Sequence, residues 1–290
     1  MKRLNILLLA IFLLLLTFSC SHEDGQLMEG VVPAQHPTSL TFDVSEEPWQ
    51  DERILMTRGA TLDGLKGLTG FGLYATSALI SFTNTQVTWD NVNAKWTYAG
   101  EKTLLWPATP PTLYAYAPWM ASPTYNAGTL TFTPGLENTT DLLWGETNVQ
   151  ADGTAKLNFK HALAKISFGT ITNHSGASVS LTGISLTGNF YQDGKLSLSD
   201  GTWSEKNSFT PASQTLSRNP ASAVVVANDA TANIGVADVL QIPGPTVAVT
   251  FTFTVGGVEH TATVNTTLTQ GRHTTFYVTI QNHFEVIITS

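Results

Sequence analysis

Residues 247–255 read Val-Ala-Val-Thr-Phe-Thr-Phe-Thr-Val, and only an extended chain sorts these side chains into one apolar and one polar face. Wound as a helix, the same residues would scatter their apolar groups around the axis. The run therefore predicts a strand whose apolar face closes a core. The same period of two recurs along the chain. Leu40, Phe42 and Val44 alternate with Thr41, Asp43 and Ser45, and further strand-forming stretches lie at 71–75, 79–82, 87–89, 95–99, 112–116, 129–132 and 157–168. The second half continues with 179–186, 195–198, 223–227, 260–267, 273–280 and 284–289. Turn formers separate many of these stretches, as at Asp90-Asn91, Ala99-Gly100, Asn126-Ala127-Gly128 and Asp152-Gly153. Residues 162–165 invite a helical reading, but their flanks, Phe159 and Ile166, are strand-like. No repeat of about 20–50 residues is visible, which disfavours a propeller or solenoid. The expectation is an all-β chain of two β-sandwiches in tandem, divided in the turn-rich stretch 188–194.

The start of the chain follows a different pattern. Lys2 and Arg3 precede an apolar run over residues 4–18 that ends at Ser19, as in a signal peptide over residues 1–19. The run is shorter than the roughly 20 residues of a spanning helix, and no later stretch is apolar enough to span. Cys20 comes next and is the one cysteine of the chain, so neither an intrachain disulfide nor a Cys-built metal site is available. Leu-Thr-Phe-Ser-Cys resembles the lipobox of bacterial lipoproteins, which implies a lipid on Cys20. The plainer alternative is an unmodified cysteine beside an ordinary signal peptide. His22, Glu23 and Asp24 resemble the acidic signal that directs Bacteroidetes lipoproteins to the cell exterior. Residues 26–37 are polar and aperiodic, a tether ahead of the first strand. Residues 46–59 hold Pro48, Asp51, Glu52, Arg53 and Thr57-Arg58-Gly59, too charged for a buried strand, and read as an exposed loop.

Charge and motif content narrow the function. The formal charge of −8 becomes −10 once Lys2 and Arg3 are removed, and such a chain is repelled by phosphate backbones, so nucleic acid is not an expected partner. The histidines His161, His174, His260, His273 and His283 are scattered, with no HExxH pair, and no Gly-x-Ser-x-Gly elbow or phosphate-cradling loop occurs. No catalytic residue, metal site or cofactor is expected. Glu46-Glu47 and Asp51-Glu52 could serve a glycosidase only by facing each other across a sugar, and as loop neighbours they read as solvated charges. Trp89, Trp96, Trp106, Trp119, Trp144 and Trp203 could stack on sugar rings, or fill cores and cover strand edges.

Several segments, in order, resemble the minor-fimbria-like branch of the Bacteroidales fimbrillins. They are Thr57-Arg58-Gly59, Phe71-Gly-Leu-Tyr-Ala75, Trp96-Thr-Tyr98, Leu105-Trp-Pro107, Leu113-Tyr-Ala-Tyr-Ala-Pro118, Asp141-Leu-Leu-Trp-Gly145 and Phe159-Lys-His-Ala-Leu-Ala-Lys-Ile166. A looser echo is Leu268-Thr-Gln-Gly-Arg-His-Thr-Thr-Phe-Tyr-Val278. The resemblance implies two transthyretin-like β-sandwich domains, over 59–190 and 191–290, after a cleavable segment 20–58. It further implies an outer-membrane lipoprotein at the cell surface that becomes a fimbrial subunit. In that family a trypsin-like or Arg-specific protease cuts the loop after the first strand. The matching bond here joins Arg58 to Gly59, with Arg53 as a second candidate. The cut would remove eight acids and two bases, taking −10 to −4. It would free the first strand (Leu40, Phe42, Val44), and the groove would be filled by another subunit's C-terminal strand, for which Phe284, Val286 and Ile288 are the candidate donor residues. Expected partners are other fimbrial subunits, the outer membrane through Cys20 before processing, and a receptor or glycan on a host or bacterial surface. The alternative is a monomeric surface glycan-binding lipoprotein.

Overall fold

A computed structural model describes residues 37–38, 40–51, 69–76, 81–100, 104–105, 111–136, 140–150, 152–244, 246–282 and 286–289, all in one compact unit, Pro37–Ser290. The signal peptide, Cys20, Arg53, Arg58, Gly59 and Phe284 lie outside the described residues. The strands in chain order begin with β1 (Pro37–Thr38), β2 (Thr41–Glu46), β3 (Gln50–Asp51), β4 (Phe71–Thr76), β5 (Ser81–Asp90), β6 (Lys95–Tyr98), β7 (Leu104–Leu105) and β8 (Thr112–Ala117). Then come β9 (Thr124–Asn126), β10 (Thr129–Phe132), β11 (Leu143–Asn148), β12 (Thr154–His161), β13 (Ala164–Asn173), β14 (Val179–Ser197) and β15 (Trp203–Ser217). The chain ends with β16 (Val224–Val226), β17 (Ala230–Asn233), β18 (Val239–Gln241), β19 (Thr246–Val255), β20 (Val258–Thr267), β21 (Arg272–Ile280) and β22 (Val286–Thr289). The chain is all-β, and among the described residues no helix is long and apolar enough to cross a membrane.

The first sheet has the order β2-β12-β11-β8-β4-β5-β6. Its inward positions supply one core, including Phe71, Leu73, Val87, Leu113, Leu157 and Phe159. The sheet curls on itself: Phe42 of the first edge strand lies 6.2 Å from Tyr98 of the opposite edge, ring to ring. A second core lies between the sheet built on β14, β19 and β20 and the sheet built on β13, β21 and β17. There the alternation of residues 247–255 does what it predicts, placing Val249, Phe251, Phe253 and Val255 inside. Phe168, Phe251 and Phe276 pack edge to face and tilted at 4.8–5.6 Å, arrangements that suit the aromatic quadrupole.

Residues 188–194, the expected turn-rich divide, lie inside β14 instead. One part of β14 pairs with β16 and β19 over the second core, and its far end, Gly194–Ser197, pairs with β10. The glycines there allow close approach: a Cβ on Gly194 would lie 3.0 Å from the Trp203 ring. β15 follows with three register shifts, at Asn189/Tyr191, Tyr191/Asp193 and Asp193/Lys195. A third apolar cluster joins this end of β14 to the outer face of the first sheet, through Tyr116, Leu142, Trp144, Leu163, Leu196 and Ile242.

Candidate functional site

The first strand is an edge strand held on one side. β2 pairs in parallel with β12 over six residue pairs, from Thr41 with Thr154 to Glu46 with Phe159, and closes the first sheet at one end. Its alternation is the one expected: Leu40 and Val44 are buried, and Phe42 packs at 5.6 Å against Phe71, while Thr41, Asp43 and Ser45 face outward. Burying side chains of this size contributes roughly 1.5–3 kcal/mol each. Side chains reinforce the ladder from outside. Ser45 Oγ donates to Asn158 Oδ1 (3.0 Å), Asn158 Nδ2 donates to Glu47 Oε1 (2.8 Å), and Lys160 Nζ stands 3.9 Å from Glu47.

The described part of the expected exposed loop 46–59, residues 46–51, is not a free loop, and residues 52–59 lie outside the described residues. Glu46, Glu47, Pro48 and Trp49 are half-buried, and Gln50 and Asp51 form β3, parallel to Arg272 and His273 of β21. Gln50 N–H also donates to Gly271 O at 2.9 Å. Trp49 stacks on the buried His161, ring centroids 3.8 Å apart and 19° from coplanar, with Lys165 Nζ 5.7 Å from the indole centroid. His161 Nδ1–H donates to Asp141 Oδ2 at 2.5 Å, and Nε2 faces Glu46 Oε1 at 3.8 Å. Burial raises the Glu46 carboxyl above its ordinary range; His161 opposes that rise and Asp141 adds to it. Glu46 is thus part of an anchor rather than a freely solvated charge.

Two segments that carry the resemblance described above meet here. Asp141 and Trp144 come from one, and Lys160, His161 and Lys165 from the other, with Lys160 Nζ 5.4 Å from the Trp144 ring centroid. Trp144, Lys160 and His161, with Glu47, Pro48, Gln50 and Gly201, line a cleft of about 340 Å³. Trp49 and His161 carried no functional reading in the sequence. The available signal was a tryptophan set in an otherwise charged stretch.

The C-terminal strand sits close by in the topology. β21 uses one edge for β13, and its other edge takes β3 at Arg272–His273 and β22 at Tyr277–Ile280. Only Thr274–Phe276 separate the two along that edge. Val286 and Ile288 are in β22, which pairs antiparallel with β21 at the edge of its sheet.

Among the described residues, the other chemistry-bearing groups do not form a reacting centre. Ser167 Oγ donates to Asp238 Oδ1 at 2.5 Å and lies 2.6 Å from His273 Nε2, so the serine stands between acid and imidazole. A nucleophilic triad needs the imidazole in the middle to take the hydroxyl proton. Lys165 Nζ, 2.8 Å away, pairs with the Asp238 carboxylate. Among the described residues no three His, Cys, Asp or Glu side chains are grouped to hold a metal. Trp96 and Trp144 are buried in different apolar clusters and present no shared sugar-stacking face.

Residues 57–290 match the fimbrillin-like family. No curated protein sequence matches the chain. Among solved structures, a candidate cell adhesion protein from Bacteroides ovatus is similar at a TM-score of 0.59 and 16% identity, covering 88% of this chain and 96% of that one. A fimbrial protein from Bacteroides vulgatus gives 0.57 and 18%, covering 87% and 97%, and a candidate cell adhesion protein from Bacteroides uniformis 0.54 and 14%, covering 89% and 97%. At these identities the structures share the fold. The family match begins at Thr57, within the tripeptide that carries Arg58, and runs to the last residue through both segments that meet at His161: this chain belongs to the fimbrillin-like family.

Proposed function

We propose that this chain is a structural and adhesive fimbrial subunit, exported as a lipoprotein through Cys20, cut at Arg58–Gly59, and assembled by exchange of its first strand. The observation that carries the reading is the placement of β2, a short parallel strand at a sheet edge whose apolar side chains fill a slot lined by β12 and Phe71. Its departure would leave the ladder groups of Thr154–Phe159 and that slot uncovered, the template on which an alternating segment of another copy adds. The tail with Phe284, Val286 and Ile288 has the required alternation, and its described part, Val286–Thr289, already pairs as an edge strand. Arg53 is the secondary cut site, and we keep the division into two sandwich domains as part of this reading. Loss of six net negative charges with residues 20–58 would ease packing of like subunits.

The test is limited trypsin digestion of the protein starting after Cys20, with the new N-terminus read and the product run unboiled on a denaturing gel. A stable fragment starting at Gly59 that forms a ladder is expected. A resistant segment 52–68, or a cut product that stays monomeric, would contradict the reading and leave the monomeric glycan-binding lipoprotein in its place.

A further inference from the structure

Among the described residues, the edge strands of the second half are blunted, with one exception. β15 carries Pro211 and three register shifts, and β16, β17 and β22 run three or four residues. These are the usual protections against edge-to-edge pairing. β20 has none of them. It runs ten residues, Val258–Thr267, in unbroken register with β19, and carries no proline, no lysine and one charged residue, Glu259.

Its free hydrogen-bonding groups follow from the turn. Val255 and Val258 close a two-residue hairpin through Gly256 and Gly257, whose φ of 58° and 83° are those of a type I′ turn. The closing pair of such a hairpin exchanges both bonds, and the pattern then alternates. The N–H and C=O of Val258, His260, Ala262, Val264 and Thr266 therefore face β19. Those of Glu259, Thr261, Thr263, Asn265 and Thr267 face away, where among the described residues no strand pairs with them. The inward side chains His260, Ala262, Val264 and Thr266 are half-buried, unlike the fully buried Val249, Phe251 and Phe253 of β19; β22 of the facing sheet comes close to β20, but among the described residues it makes no ladder with it.

We propose that β20 is a docking edge for a second copy of this chain, pairing antiparallel with that copy's β20 about a two-fold axis at Thr263. The strand is complementary to itself in this register. Thr263 meets its own copy, Thr261 meets Asn265, and Glu259 meets Thr267, so no like charges oppose. Val264 of each copy comes beside Ala262 of the other. The outer face continues as a hydroxyl-rich surface, already paired across β19 and β20 by Thr246 with Thr267 (2.6 Å) and Thr250 with Thr263 (2.9 Å). This contact lies on the second half of the chain, needs no cut, and joins copies side by side whatever becomes of the first strand.

Sedimentation of the uncut chain starting after Cys20, from micromolar to millimolar concentration, tests it. A monomer–dimer equilibrium is expected. Thr263→Pro removes one outward N–H without taking a bond from β19, and should weaken the dimer by about tenfold or more. Thr263→Lys places two ammonium groups across the axis and should do the same, while mixing it with Thr263→Glu should restore a heterodimer. A wild-type chain monomeric throughout, or a dimer unchanged by both Thr263→Pro and Thr263→Lys, would overturn the proposal; circular dichroism shows that each variant is folded.

Discussion

Trp49 stacks on His161 with ring centroids 3.8 Å apart, tying the segment that follows the first strand to a residue at the end of β12. Trp49→Ala removes this stack and the Lys165 contact while leaving β2 intact. The uncut chain should lose about 2 kcal/mol of stability, a stack and a half-buried indole together, and after cutting the first strand should leave faster. Thermal unfolding and the rate of peptide release check both.

Glu46 gives the same anchor a pH dependence. Its carboxyl is raised by burial in the folded chain, so the neutral form is favoured there. The stability linked to this group is fully present below the ordinary glutamate range and is lost as pH rises through its raised value. Glu46→Gln should therefore melt above wild type at pH 7, with the gap closing below about pH 4, where both side chains are neutral. A gap that does not change with pH would contradict this account of Glu46.

Val44 and Leu157 are register partners on β2 and β12, and the two should respond differently. Val44→Thr buries a hydroxyl in the slot and should cost the uncut chain about 1.5 kcal/mol. After the cut the residue is gone, so polymer formation should match wild type. Leu157→Ala stays in the groove and should impair both monomer stability, by about 2–5 kcal/mol, and polymer yield.

Gly201 holds φ +72°, and a Cβ there would fall 2.1 Å from the Trp144 ring. Gly201→Ala should destabilise the chain by about 3 kcal/mol through backbone strain and displacement of the indole. Unfolding in urea measures it.

Much of this was legible from local pattern. Alternation placed Leu40, Phe42 and Val44 on one face and marked residues 247–255 and 273–280 as strands, because a half-buried strand writes its faces into adjacent residues. What was not legible depends on partners far along the chain. Gly188 and Gly194 look like turn residues, yet they admit close neighbours inside β14, including Trp203 against Gly194. β3 is two residues long and exists through its pairing with Arg272 and His273. The meeting of Trp49, Asp141 and His161 is likewise set by topology, so three residue types with no shared spacing formed an anchor that no local motif encodes.

On the proposed assembly, the β12 edge, covered by β2 in the uncut chain, is covered by another copy's strand in the polymer. Amide hydrogen exchange across Thr154–Phe159 tests it most directly, compared among uncut chain, freshly cut monomer and polymer. Slow exchange in the uncut chain, fast exchange after release of the first strand, and slow exchange again in the polymer is the expected result. Exchange that stays slow after the strand has left, or stays fast in the polymer, would contradict it.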